Sequence, residues 1–240
     1  MRISREVNLA LNWVLNELVP PYIRDRRWFG WLITKALYRD KAVHFMNFHA
    51  RVYDMSEAEY RSVYGATRSV AIERESDLNN ACLKLIEQNA IGPKVLEVGC
   101  GGGFLSRRLA QRFDVTATDI VIDPQLRAAN PTIAFQDASA ESLPYPDASF
   151  DTVVTTHVLE HVRDIAGAIA ELRRVARQRL IVVVPKERPH FYTPNLHLHF
   201  FPYPFSFYAV FGHRAGHQLI NADGDWFYVE DQPGRDASQQ

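Results

Sequence analysis

Cysteine is scarce in this chain. There are two, Cys82 and Cys100, far apart in sequence and without the paired spacing of a zinc or iron–sulfur site. Their scarcity excludes a disulfide framework and suits free thiols in a reducing compartment. Long apolar runs are also missing, so no segment reads as a membrane span. The first residues are interrupted by Glu6, Asn8, Asn12 and Asn16, which does not suit a secretory leader. Neither sign of charge dominates: 27 Lys and Arg against 28 Asp and Glu give a formal net charge of −1. Such a balance offers nucleic acid no electrostatic footprint. Repeats and low-complexity tracts are lacking too. What is present is globular, with 47% hydrophobic and 23% charged residues over 240 positions, enough for one domain with a generous extension. A soluble, cytoplasmic enzyme is the expectation.

The stretch Val95-Leu96-Glu97-Val98-Gly99-Cys100-Gly101-Gly102-Gly103-Phe104-Leu105-Ser106 organises the rest. Val95, Leu96 and Val98 form a short apolar run of the kind a parallel strand uses when both its faces are covered. Gly99, Gly101 and Gly103 remove side chains where the backbone turns sharply and approaches a ligand. Leu105 and Leu109 then continue at helical spacing, so the turn opens a helix whose free N–H groups point at whatever lies above it. A dinucleotide fingerprint requires glycine at the first, third and sixth places. Here the sixth place is Phe104, and Glu97 adds a carboxylate that repels a pyrophosphate but suits a ligand carrying an ammonium group.

Residues 1–90 read as a helical N-terminal extension. Val7, Leu11, Val14, Leu15 and Leu18 make a stripe that stops at Pro20-Pro21, and Ser56 with Glu59 forms a capping-box pattern. A further helix is expected from Ser76-Asp77, with Leu78, Cys82, Leu85 and Ile86 inside. From residue 91 to 232 strands and helices alternate. Strands are expected at 94–98, 114–118, 132–136, 152–156 and 180–184, with helices at 104–112 and 164–176. A hairpin over 217–230 turns at Asp223-Gly224. Alternation of this kind implies an α/β, Rossmann-like, doubly wound and mostly parallel sheet with its ligand at the carboxyl ends of the strands. Residues 233–240 read as a flexible polar tail. Asp119, at the tip of the second strand, is placed to accept both hydroxyls of a ribose.

The E-x-G-x-G-x-G turn resembles motif I of the class I S-adenosylmethionine-dependent methyltransferases. Ser139 to Asp151 resembles the D-A-E-x-L-P-F-x-D-x-S-F-D run of the small-molecule, type 11-like branch, and Thr156-His157-Val158-Leu159-Glu160-His161-Val162 resembles the segment that passes beneath the sulfonium. The resemblance covers about residues 92–201. It implies a seven-stranded sheet with a C-terminal antiparallel hairpin, S-adenosylmethionine as cofactor and S-adenosylhomocysteine as product. Carried over position by position, it assigns the cofactor to Glu97, Gly99, Cys100, Gly101, Gly103, Asp119, Ile120, Ser139, Ala140, Thr156 and His157. One departure stands out: Ser139 occupies the place of the acid that reads the adenine edge, and Asp137 lies two residues earlier.

Histidines supply the candidate catalytic groups: His157 near the methyl, and His197 or His199 on the acceptor side, with His190 on the same rim. A base matched to neutral pH suits an alcohol or phenol acceptor. His197 and His199 have the spacing of metal ligands but no third ligand nearby, so no metal is expected. The implied activity is methyl transfer to a small molecule. A hydroxyl of a sugar, a lipid-linked or a cell-envelope metabolite is the first choice, and N- or C-methylation is an alternative. Around Trp28-Phe29-Gly30-Trp31-Leu32, basic residues flank an aromatic cluster that suits packing onto the sheet domain, a second subunit in a homodimer, or peripheral contact with a membrane surface. Two further alternatives are an S-adenosylmethionine-binding protein without turnover and a nicotinamide-dependent oxidoreductase.

Overall fold

Leu180, Ile181, Val182, Val183 and Val184 are all fully buried, because the strand they form is covered on both faces. The computed structural model describes residues 13–15, 18–67, 76–192 and 196–233. Val7, Leu11 and the tail beyond residue 233 lie outside the described residues. Two units are distinguished, one from Met1–Arg74 with Glu187–Phe200, the other from Glu75–Lys186 with Phe201–Gln240.

The second unit is built on seven strands: β1 (Lys94–Val98), β2 (Asp114–Asp119), β3 (Ala134–Asp137), β4 (Phe150–Thr156), β5 (Ala176–Pro185), β6 (Gln218–Ala222) and β7 (Asp225–Asp231). Their order is β3-β2-β1-β4-β5-β7-β6. The first five run parallel, while β7 pairs antiparallel with both β5 and β6. This is the mostly parallel sheet with a terminal hairpin that the alternating pattern implies. Strand order reverses between β1 and β4, which opens a crevice at their carboxyl ends.

Each apolar strand feeds two cores. Leu180, Val182 and Val184 pack with Ala168, Leu172 and Phe207, on the side of the helices Ile165–Val175 and Pro204–Phe211. Ile181 and Val183 pack with Leu78, Cys82, Ile86, Leu105 and Leu109, on the side of the helices Asn80–Asn89 and Phe104–Leu109. Period-two alternation sends neighbours to opposite faces, and both faces are apolar.

Several boundaries differ from the sequence pattern: the helix expected over 104–112 ends at Leu109, β3 runs Ala134–Asp137 and β4 starts at Phe150. Two further differences have a visible cause. The helix expected from Ser76-Asp77 begins at Asn80, because the side chain of Asn79 accepts the Cys82 N–H at 2.7 Å and caps it. Strand β5 starts at Ala176, ahead of its apolar run. The polar residues there serve buried Asp151, which accepts from the Gln178 amide at 2.8 Å, from the Lys94 N–H at 2.9 Å and from the Arg177 guanidinium.

In the first unit the reciprocal bonds of the Ser56–Glu59 box are present: the Ser56 N–H donates to the Glu59 carboxylate at 2.9 Å, and the Glu59 N–H to the Ser56 hydroxyl at 3.3 Å. Phe45, Phe48, Val52 and Tyr60 are buried. His49 ties the returning segment to this unit through contacts of 2.6 Å with the carbonyls of both Phe191 and His197. The helix Arg27–Tyr38 buries Gly30 and Thr34 but exposes Trp28, Trp31 and Leu32. Among the described residues, no helix is long and apolar enough to cross a membrane.

Candidate functional site

Beyond β1 the chain turns through Gly99, Gly101 and Gly103, at φ +83°, +54° and +71°. These are left-handed conformations that favour glycine. At Gly99 a side chain is barred twice, since an added Cβ would also lie 2.0 Å from Cγ2 of Val158. The Gly99 and Cys100 N–H groups both donate to the Thr118 carbonyl, at 2.7 and 2.8 Å, and the Gly103 N–H donates to Cys100 at 2.7 Å. Asp119, the last residue of β2, accepts the Gly101 N–H at 2.8 Å. The acid and the turn are thereby locked to each other.

Glu97 is buried and accepts a hydrogen bond from the Ser106 hydroxyl. Burial pushes its carboxyl up to about 7, against the Ser106 bond that lowers it, and the nearby charge of Asp119 pushes the same way as burial. A carboxyl poised near neutrality ionises readily beside a cation.

At the end of β3, Ser139 is half-buried and its hydroxyl accepts the Glu141 N–H at 3.2 Å, while Ala140 is buried. Asp137, the acid two residues earlier, accepts the Ile122 N–H at 2.7 Å and lies 3.7 Å from Arg127. Its carboxylate pins the segment that follows β2 and half-buried Ile120. The long run after Ser139 is held from the helix Ile165–Val175. Glu171 accepts the Leu143 N–H at 2.8 Å, and Arg174 donates to the carbonyls of Leu143 and Tyr145 at 3.0 and 2.7 Å.

Thr156 ends β4 and is half-buried. His157 follows at φ +54°, with its N–H donating to the Val183 carbonyl at 3.0 Å. Nδ1 lies 3.4 Å from Glu160, and Nε2 lies 3.4 Å from Asp225. Burial alone would lower the pKa of this ring, but the two carboxylates outweigh burial and hold it well above the usual histidine value. The raised pKa favours the imidazolium form, which the carboxylates of Glu160 and Asp225 flank.

Thus Glu97, the glycine turn with Cys100, Asp119, Ile120, Ser139, Ala140, Thr156 and His157 gather at the carboxyl ends of β1 to β4. His197 and His199 belong to the other unit. There His197 is buried with Nδ1 2.6 Å from Glu187, and His199 is half-buried. Asp225 and Glu187 are not legible as partners, because no local pattern ties them to a histidine, whereas Glu160 lies only three residues from His157.

The carboxylate at β2, the glycine backbone and the buried acid suit a ligand with a ribose and an ammonium group. Residues 96–184 match the family model described as a methyltransferase domain. The 27-O-demethylrifamycin SV methyltransferase of Amycolatopsis mediterranei is 38% identical over 96 residues, covering 36% of this chain and 35% of that protein. The ubiquinone biosynthesis O-methyltransferase of Paracidovorax citrulli is 36% identical over 95 residues, covering 36% and 40%. The ajmaline N-methyltransferase of Rauvolfia serpentina is 32% identical over 100 residues, covering 38% and 34%. This chain therefore spans about a third to two-fifths of the length of these curated relatives. The crystal structure of a SAM-dependent methyltransferase from Aquifex aeolicus shares the fold, with a TM-score of 0.52 at 15% identity, over 75% of this chain and 100% of that one. Sheet order, glycine turn and family match agree, and the chain carries over residues 96–184 a methyltransferase domain of the class I, S-adenosylmethionine-dependent kind.

Proposed function

We propose that this protein transfers the methyl group of S-adenosylmethionine to a hydroxyl of a small-molecule acceptor. The observation that carries the reading is the 2.8 Å bond from the Gly101 N–H to Asp119, which fixes a carboxylate beside the glycine turn before any ligand arrives. In this reading Asp119 accepts from the ribose hydroxyls, the turn from Gly99 to Gly103 lets the cofactor approach the backbone closely, and Glu97 balances the amino group. When bound, the cofactor supplies a methyl group on a cationic sulfur that needs little electronic activation. The protein's contribution is then to hold the acceptor oxygen in line and exclude water, worth about 7–11 kcal/mol in favourable cases.

A hydroxyl acceptor must also lose its proton. We assign this to His197: donation of its Nδ1–H to Glu187 leaves the Nε2 lone pair to take the proton, and Glu187 steadies the imidazolium that results. Such a base adds roughly 10²–10⁴-fold. His157 suits this role less well, because Glu160 and Asp225 raise its pKa. One of the relatives compared is an O-methyltransferase by name and a second is named for an O-demethyl compound, against one N-methyltransferase, which supports oxygen. Among sugar, lipid-linked and cell-envelope acceptors we favour the lipid-linked, because Trp28, Trp31 and Leu32 stand exposed on one helix with Lys35 beside Trp31.

Calorimetric titration with S-adenosylhomocysteine tests the reading. Binding by the native protein that collapses in Asp119→Ala is expected, followed by labelled methyl transfer to hydroxylated acceptors. Failure of the well-folded native protein to bind would overturn it.

A further inference from the structure

The helical unit carries an open cavity of about 450 Å³, within the range of small-molecule sites. Its polar lining comes from Arg24, Asp25, His49 and His190, and its apolar walls include Phe191 and Phe200. Arg24 is the unusual member, a guanidinium only 5% exposed. It donates to the carbonyls of Leu15 and Pro189 at 3.2 and 2.8 Å, but its Nε–H is buried without an acceptor. The Asp25 carboxylate stays 3.8 Å from Nε and accepts the Phe191 N–H at 3.2 Å. Leaving such a donor unsatisfied costs about 1–3 kcal/mol.

His49 lies beside it, with its ring nitrogens 2.6 Å from the carbonyl oxygens of Phe191 and His197. His190 adds no charge at neutral pH, since burial lowers its pKa to about 4. Among the described residues of the lining Asp25 is the one acid, 3.8 Å from Nε of Arg24. An anion with an apolar body would supply the acceptor that Nε of Arg24 lacks. A phosphate brings more charge and more oxygens than one guanidinium edge can satisfy, whereas a carboxylate matches its fork.

We propose that this cavity binds a small carboxylate with an aromatic or other flat apolar frame, held by Arg24 with Phe191 and Phe200 against its body. Binding does not depend on methyl transfer; the ligand's being the methyl acceptor rests on that reading.

The test compares 2-naphthoate with the neutral, similarly shaped 2-naphthamide by calorimetry on the full chain, with and without S-adenosylhomocysteine. The carboxylate should bind at least tenfold more tightly than the amide, and S-adenosylhomocysteine should not displace it. Arg24→Gln should remove this preference. Because Arg24 also holds two backbone carbonyls, Tyr53→Asp provides an independent check: Tyr53 lines the cavity and is 65% exposed, so the change leaves the core intact. It should weaken naphthoate at least fivefold and spare the amide. Equal binding of acid and amide, binding of neither, displacement by S-adenosylhomocysteine, or naphthoate affinity unchanged in Tyr53→Asp would overturn the proposal. Naphthoate binding without any S-adenosylhomocysteine binding would sink the methyl-transfer reading and leave this site standing.

Discussion

Oδ2 of Asp225 stands 3.4 Å from Nε2 of His157, with β5 lying between the strands that lead to them. Asp225 also accepts the Asn79 side-chain amide at 2.8 Å, so one carboxylate joins the end of β4, the start of β7 and the cap of the helix Asn80–Asn89. Removing the ring would take away the group that Glu160 and Asp225 both face. Asn tolerates a left-handed backbone, so His157→Asn isolates the charge. The pKa of His157 is raised on folding, so its stabilisation is complete below the unfolded value of 6.5 and is lost as pH rises through the higher folded value. The variant should lose about 3 kcal/mol at pH 6, the order expected for breaking a buried pair. The gap should narrow by pH 9. Urea unfolding at both pH values measures it, and a gap independent of pH would refute the imidazolium assignment.

Glu97 behaves in an unaccustomed way for a carboxylate in a binding site. Its pKa rises from 4.5 to about 7 on folding. Stability from this group is therefore complete below pH 4.5 and is lost as pH climbs through 7, an effect on the order of 3 kcal/mol at most. Glu97→Gln should be more stable than the native protein at pH 8 and level with it at pH 4. The same variant should bind S-adenosylhomocysteine more weakly at pH 8, because the ionised acid no longer faces the ligand's ammonium group. Equal melting curves at pH 8 would contradict the burial argument.

Glu187 tests the proposed base. With a hydroxylated acceptor found by labelled screening, Glu187→Gln should lower kcat about 10–100-fold while leaving KM for S-adenosylmethionine unchanged. Its pH–rate profile should shift to lower pH, since the imidazolium loses its carboxylate. A drop in kcat without that shift would assign Glu187 a packing role only.

The helix Arg27–Tyr38 places Trp28, Trp31 and Leu32 in solvent at 62%, 47% and 60% exposure, on the face opposite buried Gly30 and Thr34. Positions 28, 31, 32 and 35 share one side of a helix. Sedimentation with vesicles rich in anionic lipid should carry down the native chain and leave the double variant Trp28→Ser/Trp31→Ser in the supernatant. Equal recovery of the two in the supernatant would remove the lipid-surface reading of this face.

Much of this was legible in the chain itself. Apolar runs such as Leu180 to Val184 announce strands covered on both faces, and glycines at three left-handed positions announce the turn, because both signals are local. The Ser56–Glu59 box was legible for the same reason. The polar start of β5 was hidden, since Arg177 and Gln178 sit in a strand only by virtue of Asp151 on its neighbour. The state of His157 was hidden as well: nothing near it in sequence announces that Asp225 will arrive from the C-terminal hairpin. Likewise the run from Ser139 to Asp151 reads as a ligand motif, yet much of it is gripped by Glu171 and Arg174.

The segment Glu187–Phe200 leaves the sheet, joins the helical unit and returns at Phe201. Its carbonyls at Pro189, Phe191 and His197 are held by Arg24 and His49, residues encoded more than a hundred codons upstream. A segment distant in sequence thus completes the helical unit. A single recombination break before the sheet would hand a chimaera one half of this unit and the other parent's segment 187–200. An intact exchange between relatives needs all three junctions moved together.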